Sequence, residues 1–207
     1  RQLHLINSLL EAHSSEIHGL VLHREPVQLS QLIQSAIDEL EPLLTKNQAT
    51  LKNLISPNLP LINADPTQLW RVFENLIANA LNHNPPGLLL TLNATVEDKE
   101  NKAAKETDRE NHPLPITHYQ LPITNYPFIR ITLQDNGVGM TQETCEHLFE
   151  LYVRGSHTRR STSIGLGLYL CRQIITAHGG EIGVISSPGA GATFWFALPV
   201  LSNVLLD

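Results

Sequence analysis

Apolar residues recur at intervals of three and four in some stretches of the chain and at every second position in others. Leu3, Ile6, Leu10, His13, Ile17 and Leu20 keep the first spacing, the seam of a helix that packs either on other helices or on its own domain. Gly19 and then "REP" at 24 to 26 stop it. Ser30 precedes "QLIQSAIDELEPLLTK", whose Leu32, Ile33, Ala36, Ile37, Leu40, Leu43 and Leu44 predict a second helix with Pro42 near its end. "ATLKNLI" and "PLINA" are short apolar runs bounded by proline and asparagine, which predicts two strands of a hairpin that turns at "SPNLP".

The third helix has the best-marked ends. Asp65 is placed to cap it, Pro66 suits a first turn, and "NPPG" at 84 to 87 stops it, so it runs from about 66 to 83. "LLLTLNATV" and "FIRITLQ" follow as strands, the second alternating Ile129, Ile131 and Leu133 against Arg130, Thr132 and Gln134. Between them, residues 97 to 127 carry a charged run and two near copies of one heptapeptide, "LPITHYQ" and "LPITNYP", and are expected to be an inserted, disordered loop joining paired strands.

Downstream, "TCEHLFELYVRG" predicts a short helix, "SHTRRSTSIGLG" a polar loop, and "LYLCRQIITAHGG" a fourth helix capped at Gly179. "EIGVISS" and "ATFWFALP" form a closing hairpin around "PGAG". Strands and helices do not alternate regularly, so the prediction is an α+β fold with a mixed sheet and helices on one face, not a doubly wound parallel sheet.

Composition narrows the class without naming it. With 207 residues, 42% hydrophobic and 16% charged, the chain can bury one sizeable core, so one main domain with an appendage is expected. A net charge of -6 gives no footprint for nucleic acid or an anionic membrane. Cys145 and Cys171 form no CxxC or zinc-type cluster and read as reduced thiols, which suits the cytoplasm. No apolar run is long enough to span a bilayer, and the first residues lack the order of a signal peptide.

Candidate chemistry begins in "FENLIANALNHN". Asparagine is a mediocre helix former, yet Asn75, Asn79 and Asn82 fall within roughly a 60° arc of the third helix, opposite Leu69, Phe73, Leu76, Ile77 and Ala80. A carboxamide can ligate a hard cation such as Mg²⁺ through its oxygen and donate to phosphate through its nitrogen. On the helix alone, a solvated polar face is the better explanation.

Two further stretches tilt the balance. In "QDNGVGM", Asp135 ends a strand, and Gly137 and Gly139 let the backbone approach a flat ligand whose exocyclic amine the carboxylate would accept. In "SIGLGLYLCRQ", Gly165 and Gly167 run straight into a helix, whose free amide groups and dipole form a phosphate seat. Neither a P-loop nor a Rossmann fingerprint is present.

In order, "DPTQLWRVFENLIANALNH", "DNGVGM", "LFELYVRG" and "GLGLYLCRQIITAHGGEIGVISSPGAGATFWFALP" resemble the N, G1, F and G2 boxes of bacterial sensor histidine kinases. The likeness covers residues 25 to 207, the ATP-binding catalytic domain, and residues 1 to 24 resemble the end of the second dimerisation and phosphotransfer helix with its linker. It implies a two-layer α/β sandwich of the histidine kinase-like ATPase type, with three main helices on one face of the sheet, that binds ATP and Mg²⁺ and transfers the γ-phosphoryl to a histidine.

Carried over by position, Asn79 is the Mg²⁺ ligand, Asn75 its neighbour near the phosphates, and His83 the ring that stacks on adenine. Asp135 binds the adenine amine with Gly137 and Gly139 shaping the pocket, while Gly165, Leu166 and Gly167 close over the phosphates. Arg154 meets the γ-phosphate. Phe149 and Tyr152 anchor a lid at 153 to 165, expected to be poorly ordered without nucleotide.

Related ATPases place a Glu where Asn75 stands, and an amide cannot act as a general base, which fits transfer to another acceptor over fast hydrolysis. Ser163 and Asn82 depart from the family's usual Gly and Lys or Arg. None of the ten histidines precedes an acidic residue, so the phosphoacceptor is expected upstream of this chain, and His178 needs only a capping role. Expected partners are a second copy in the full-length protein and the receiver domain of a response regulator, with no nucleic acid and no membrane insertion by this chain. The alternative is a nucleotide-sensing interaction module of the same fold with weakened catalysis, and a weaker third option is a superfamily ATPase.

Overall fold

The computed structural model describes residues 20–97, 127–151 and 166–201. All of the expected N-terminal helix except Leu20, the inner part of the 97 to 127 insertion, the lid at 153 to 165, and Tyr152, Arg154, Ser163 and Gly165 lie outside the described residues. In chain order the elements are β1 (Glu25–Val27), α1 (Leu29–Lys46), β2 (Thr50–Asn53), β3 (Ile62–Ala64), α2 (Pro66–His83), β4 (Leu89–Glu97), β5 (Phe128–Asp135), α3 (Gln142–His147), α4 (Gly167–Ala177), β6 (Glu181–Ser186) and β7 (Ala192–Pro199).

Five strands form one mixed sheet in the order β2-β4-β5-β7-β6. The pairs β4/β5, β5/β7 and β7/β6 are antiparallel, and β2/β4 is parallel. Alternation along β5 holds as predicted, with Ile129, Ile131 and Leu133 buried while Arg130, Thr132 and Gln134 are not. Leu90 and Leu92 of β4 and Phe194, Phe196 and Leu198 of β7 point the same way and meet α1, α2 and α4 in one core. Phe73 of α2 meets Phe196 edge to face, with ring centroids 5.5 Å apart. Each such side chain contributes on the order of 2 kcal/mol by leaving water.

α2 begins and ends where the sequence places it. Its N-cap Asp65 accepts the Gln68 amide at 3.0 Å, and Pro66 occupies the first turn, where a missing N–H costs nothing. α1 starts earlier than Ser30 predicts, because Leu29 is fully buried and draws the first turn back; Gln28 stands at the cap position and its amide instead donates to the Pro57 and Leu59 carbonyls. Pro42 does not end α1. It is exposed and follows exposed Asp38 by one turn, so the carbonyl that loses its donor faces water.

The expected hairpin between "ATLKNLI" and "PLINA" does not form. β2 pairs parallel with β4 across the crossover that carries α2, and β3 pairs antiparallel with β1 in a separate two-stranded sheet. The "REP" segment, read as a helix stop, supplies the first two residues of β1, with Pro26 tolerated in a ribbon of only two strands.

Residues just before β1 are tied to the domain. The His23 amide donates to Asp65 Oδ2 at 2.9 Å, and the Arg24 guanidinium donates to the Ala177 carbonyl at the end of α4. His178, given only a capping role above, is buried: its Nδ1 donates to the Ile174 carbonyl at 2.7 Å and its Nε2 accepts the Asp65 amide at 2.9 Å. One neutral imidazole thus joins the end of α4 to the start of α2. Burial holds its pKa below the ordinary value, an effect that the Arg24 charge reinforces and that the Ile174 bond and Asp65 oppose.

Candidate functional site

A cavity of about 480 Å³ opens between the C-terminal half of α2, the loop after β5, helix α3 and the β6–β7 hairpin. That size suits a small organic ligand. From α2 come Asn79, Ala80 and His83, with Asn84 just beyond it, and from the strand end and its loop come Asp135, Val138, Gly139 and Met140. Thr141, Thr144 and Leu148 close one side, and Pro188, Ala192 and Phe194 the other.

Asp135 is 5% exposed and anchored by backbone alone. Gly137 N–H donates to its Oδ1 at 2.9 Å and Ala192 N–H to the same oxygen at 3.2 Å. Both donors use one oxygen, and the side chain lines the cavity, so the second oxygen is available to a donor inside it. Burial raises the pKa of this carboxyl, and the two N–H bonds only partly offset that. A ligand bearing an N–H in the plane of the carboxylate would restore what burial took away.

The loop after β5 is held from two sides. Gly189 N–H donates to the Val138 carbonyl at 2.7 Å, Met140 N–H to Ser186 Oγ at 2.8 Å, and Ser186 Oγ to the Gly191 carbonyl at 2.7 Å. Gly139 has φ +66°, and a Cβ there would overlap the Ser187 carbonyl and stand 3.0 Å from the Gly191 oxygen. Only glycine fits this approach.

The residues singled out in the sequence divide into four groups. Asn79, His83, Asp135 and Gly139 meet at the cavity, with Gly137 behind them as a donor to Asp135. Asn75 faces elsewhere: a Cβ built on Gly167, the first residue of α4, would lie 2.8 Å from Asn75 Oδ1, so that carboxamide meets the α4 N-terminus, beside buried Leu166. Asn82, expected among the nucleotide-binding residues, is exposed and is not among the residues that line this cavity. Arg154 and Gly165 lie outside the described residues. His83 keeps exposed surface, yet the protein crowds its ring enough that desolvation lowers its pKa, leaving a neutral ring at neutral pH. Phe149 is a core residue as expected, edge to face with Phe194 at 6.4 Å.

Sequence reasoning missed Asn84 and the β6–β7 turn. "PGAG", whose two glycines take φ +80° and +72°, signals the turn as a connection between strands. Nothing in the sequence marked it as a wall.

Fold and cavity together define a nucleotide-binding domain of one class. Residues 64–202 match the family described as histidine kinase-, DNA gyrase B-, and HSP90-like ATPase, and the chain belongs to that family. Its relatives include sensor kinases: it is 29% identical over 199 residues to the sensor protein GacS of Pseudomonas syringae pv. syringae, covering 95% of this chain and 19% of GacS. Full-length ShkA, solved in complex with AMPPNP, shares the fold with a TM-score of 0.72 and 22% identity over 97% of this chain and 36% of its own. ThkA, solved in complex with the response regulator protein TrrA, does so with a TM-score of 0.67 and 18% identity over 97% of this chain and 48% of its own. The chain spans less than half the length of each of these three proteins.

Proposed function

We propose that this chain is the ATP-binding catalytic part of a two-component sensor histidine kinase. It binds ATP with Mg²⁺ and passes the γ-phosphoryl to a histidine on a helix outside these 207 residues, from which it moves to an aspartate of a response regulator. The observation that carries this reading is the meeting of Asp135 and Asn79 at one cavity. On this reading Asp135 accepts the adenine amine and His83 stacks on the base, while Asn75 and Gly167, outside the cavity lining at the start of α4, face the phosphates.

The residues present fit the metal in one way. Among the described residues no group of three or more His, Cys, Asp or Glu could hold a cation, so Mg²⁺ would be held by the Asn79 amide oxygen together with the triphosphate and water. When bound, it neutralises phosphate charge during transfer. Arg154 is assigned the developing charge on the γ-phosphate, on the family resemblance alone.

In the full-length protein the chain works as part of a homodimer and meets a receiver domain, as ThkA meets TrrA. No helix among the described residues is long and apolar enough to cross a membrane, and the domain is assigned to the cytoplasm, where ATP is. Calorimetric titration with Mg²⁺-ATP tests the reading: binding by the parent chain that is lost in Asp135→Ala and weakened in Asn79→Ala supports it, and absence of binding refutes it.

A second reading is a nucleotide-sensing module that does not transfer phosphate. The identity of Asn82 favours it, since this exposed residue is uncharged where the family resemblance places a Lys or Arg that contacts phosphate. Adding a dimerisation domain with its acceptor histidine in trans separates the two. A kinase labels that domain with γ-phosphate, and a module binds ATP and labels nothing.

A further inference from the structure

We propose that Asn84 is the positioning residue that registers the base-recognising loop against the helix carrying Asn79. The proposal rests on the reading of the cavity as an ATP site. Asn84 is the first residue beyond α2, with extended backbone at φ -123° and ψ 158°. Its side chain is used at both ends: Nδ2 donates back to the Ala80 carbonyl at 2.9 Å, and Oδ1 accepts Val138 N–H at 2.8 Å. With a donor and an acceptor each engaged, the amide has one orientation.

Gly137 lies directly against this amide. A Cβ there would overlap the Asn84 side chain, so the residue preceding Val138 must be glycine for the amide to reach its partner. Gly137 N–H is also one of the two donors that fix Asp135 Oδ1. A path therefore runs from the last turn of α2, through the Asn84 amide, to the 137–138 peptide, and across Gly137 to the neighbouring 136–137 peptide, whose N–H orients the Asp135 carboxylate.

Loss of the Asn84 bond would not release the loop altogether. The Val138 carbonyl still accepts Gly189 N–H, and Asn136 Oδ1 still accepts Leu89 N–H at 2.9 Å. What is lost is the constraint on the 137–138 peptide. The consequence falls on recognition of the base more than on the fold.

Base preference is therefore the readout. The probes are ATP and inosine triphosphate, which carries a carbonyl where adenine carries its exocyclic amine; both are titrated calorimetrically into the full chain and its variants, with thermal unfolding followed in parallel. Asn84→Ala is expected to lower the ATP-to-ITP affinity ratio by about tenfold, the worth of one net hydrogen bond. Asn84→Asp keeps an oxygen for Val138 N–H and is expected to retain the ratio, even as its charge weakens both triphosphates alike. Gly137→Ala displaces the amide while leaving Asn84 in the chain, so it should lower the ratio as Asn84→Ala does, and the two together should be no worse than either alone.

A lowered melting temperature with an unchanged ratio in Asn84→Ala and Gly137→Ala overturns the proposal and leaves the ATP reading standing. Should Asn84→Ala fail to fold, the ratio in Gly137→Ala decides alone. A parent chain that binds neither nucleotide, or both equally, removes the ATP reading and this proposal with it.

Discussion

Gly139→Ala and Gly189→Ala form a matched pair whose comparison isolates the contact that shapes the site. Both glycines have positive φ, +66° and +80°, so alanine at either position is held in the left-handed region. That strain costs about 1–2 kcal/mol and is partly offset by the loss of unfolded-state freedom. At Gly189 nothing lies within 4 Å of the added Cβ, so strain is the whole effect. At Gly139 the Cβ overlaps the Ser187 carbonyl, and backbone cannot rotate out of the way as a side chain can.

Relief at Gly139 requires the loop and the hairpin to part. Parting breaks Gly189 N–H to Val138 O and Met140 N–H to Ser186 Oγ, at about 1 kcal/mol net for each. Gly139→Ala should then cost about 3 kcal/mol against about 1 for Gly189→Ala, or roughly 6–12 °C against 2–4 °C in Tm for a chain of this size. Thermal unfolding followed by circular dichroism, without nucleotide, measures both. Equal Tm shifts in the two variants would show that the loop and the hairpin do not touch.

Asp135→Asn keeps an acceptor for Gly137 and Ala192 N–H while removing the buried charge, so the ligand-free protein should melt no lower than the parent at neutral pH. The same change should weaken ATP by about 10- to 100-fold, the worth of a charged hydrogen bond; unaltered affinity by calorimetry would remove Asp135 from base recognition. Asn79→Ala should weaken ATP in the presence of Mg²⁺ and leave its binding in EDTA unaltered, and equal losses in both would show that Asn79 does not act through the metal. His178 has a folded-state pKa below its ordinary 6.5, so the stability it contributes is complete above that value and is lost as the pH falls through the lower folded one. Urea midpoints between pH 7.5 and 5 should therefore fall less steeply in His178→Asn, with the His83 contribution common to both proteins. Parallel slopes would contradict the buried link between α4 and Asp65.

Local chemistry made most elements legible, β1 excepted, and their pairing was hidden. Asp65, Pro66 and "NPPG" mark the ends of α2 because a cap acceptor, an N–H-free first turn and a firm stop are each properties of single residues. No comparable property of β2 or β3 announces its partner. Their nearness in sequence argued for a hairpin, whereas β2 pairs with β4 across a helix and β3 with β1 on the far side of α1. Such pairings are decided by which faces the core can cover.

The asparagines show the same limit at the scale of one helix. The cavity stripe of α2 is Asn79, Ala80 and His83, centred roughly 80° around the helix from the middle of the Asn75, Asn79 and Asn82 arc. Asn79 sits where the two overlap, which is why it alone of the three reaches the cavity while Asn75 meets Gly167 and Asn82 faces water. A helical wheel shows which residues share a side. What that side faces depends on α4 and on a hairpin more than one hundred residues later, and there the Gly139 and Gly191 carbonyl contacts, not any titratable group, bring the wall within reach of Asp135.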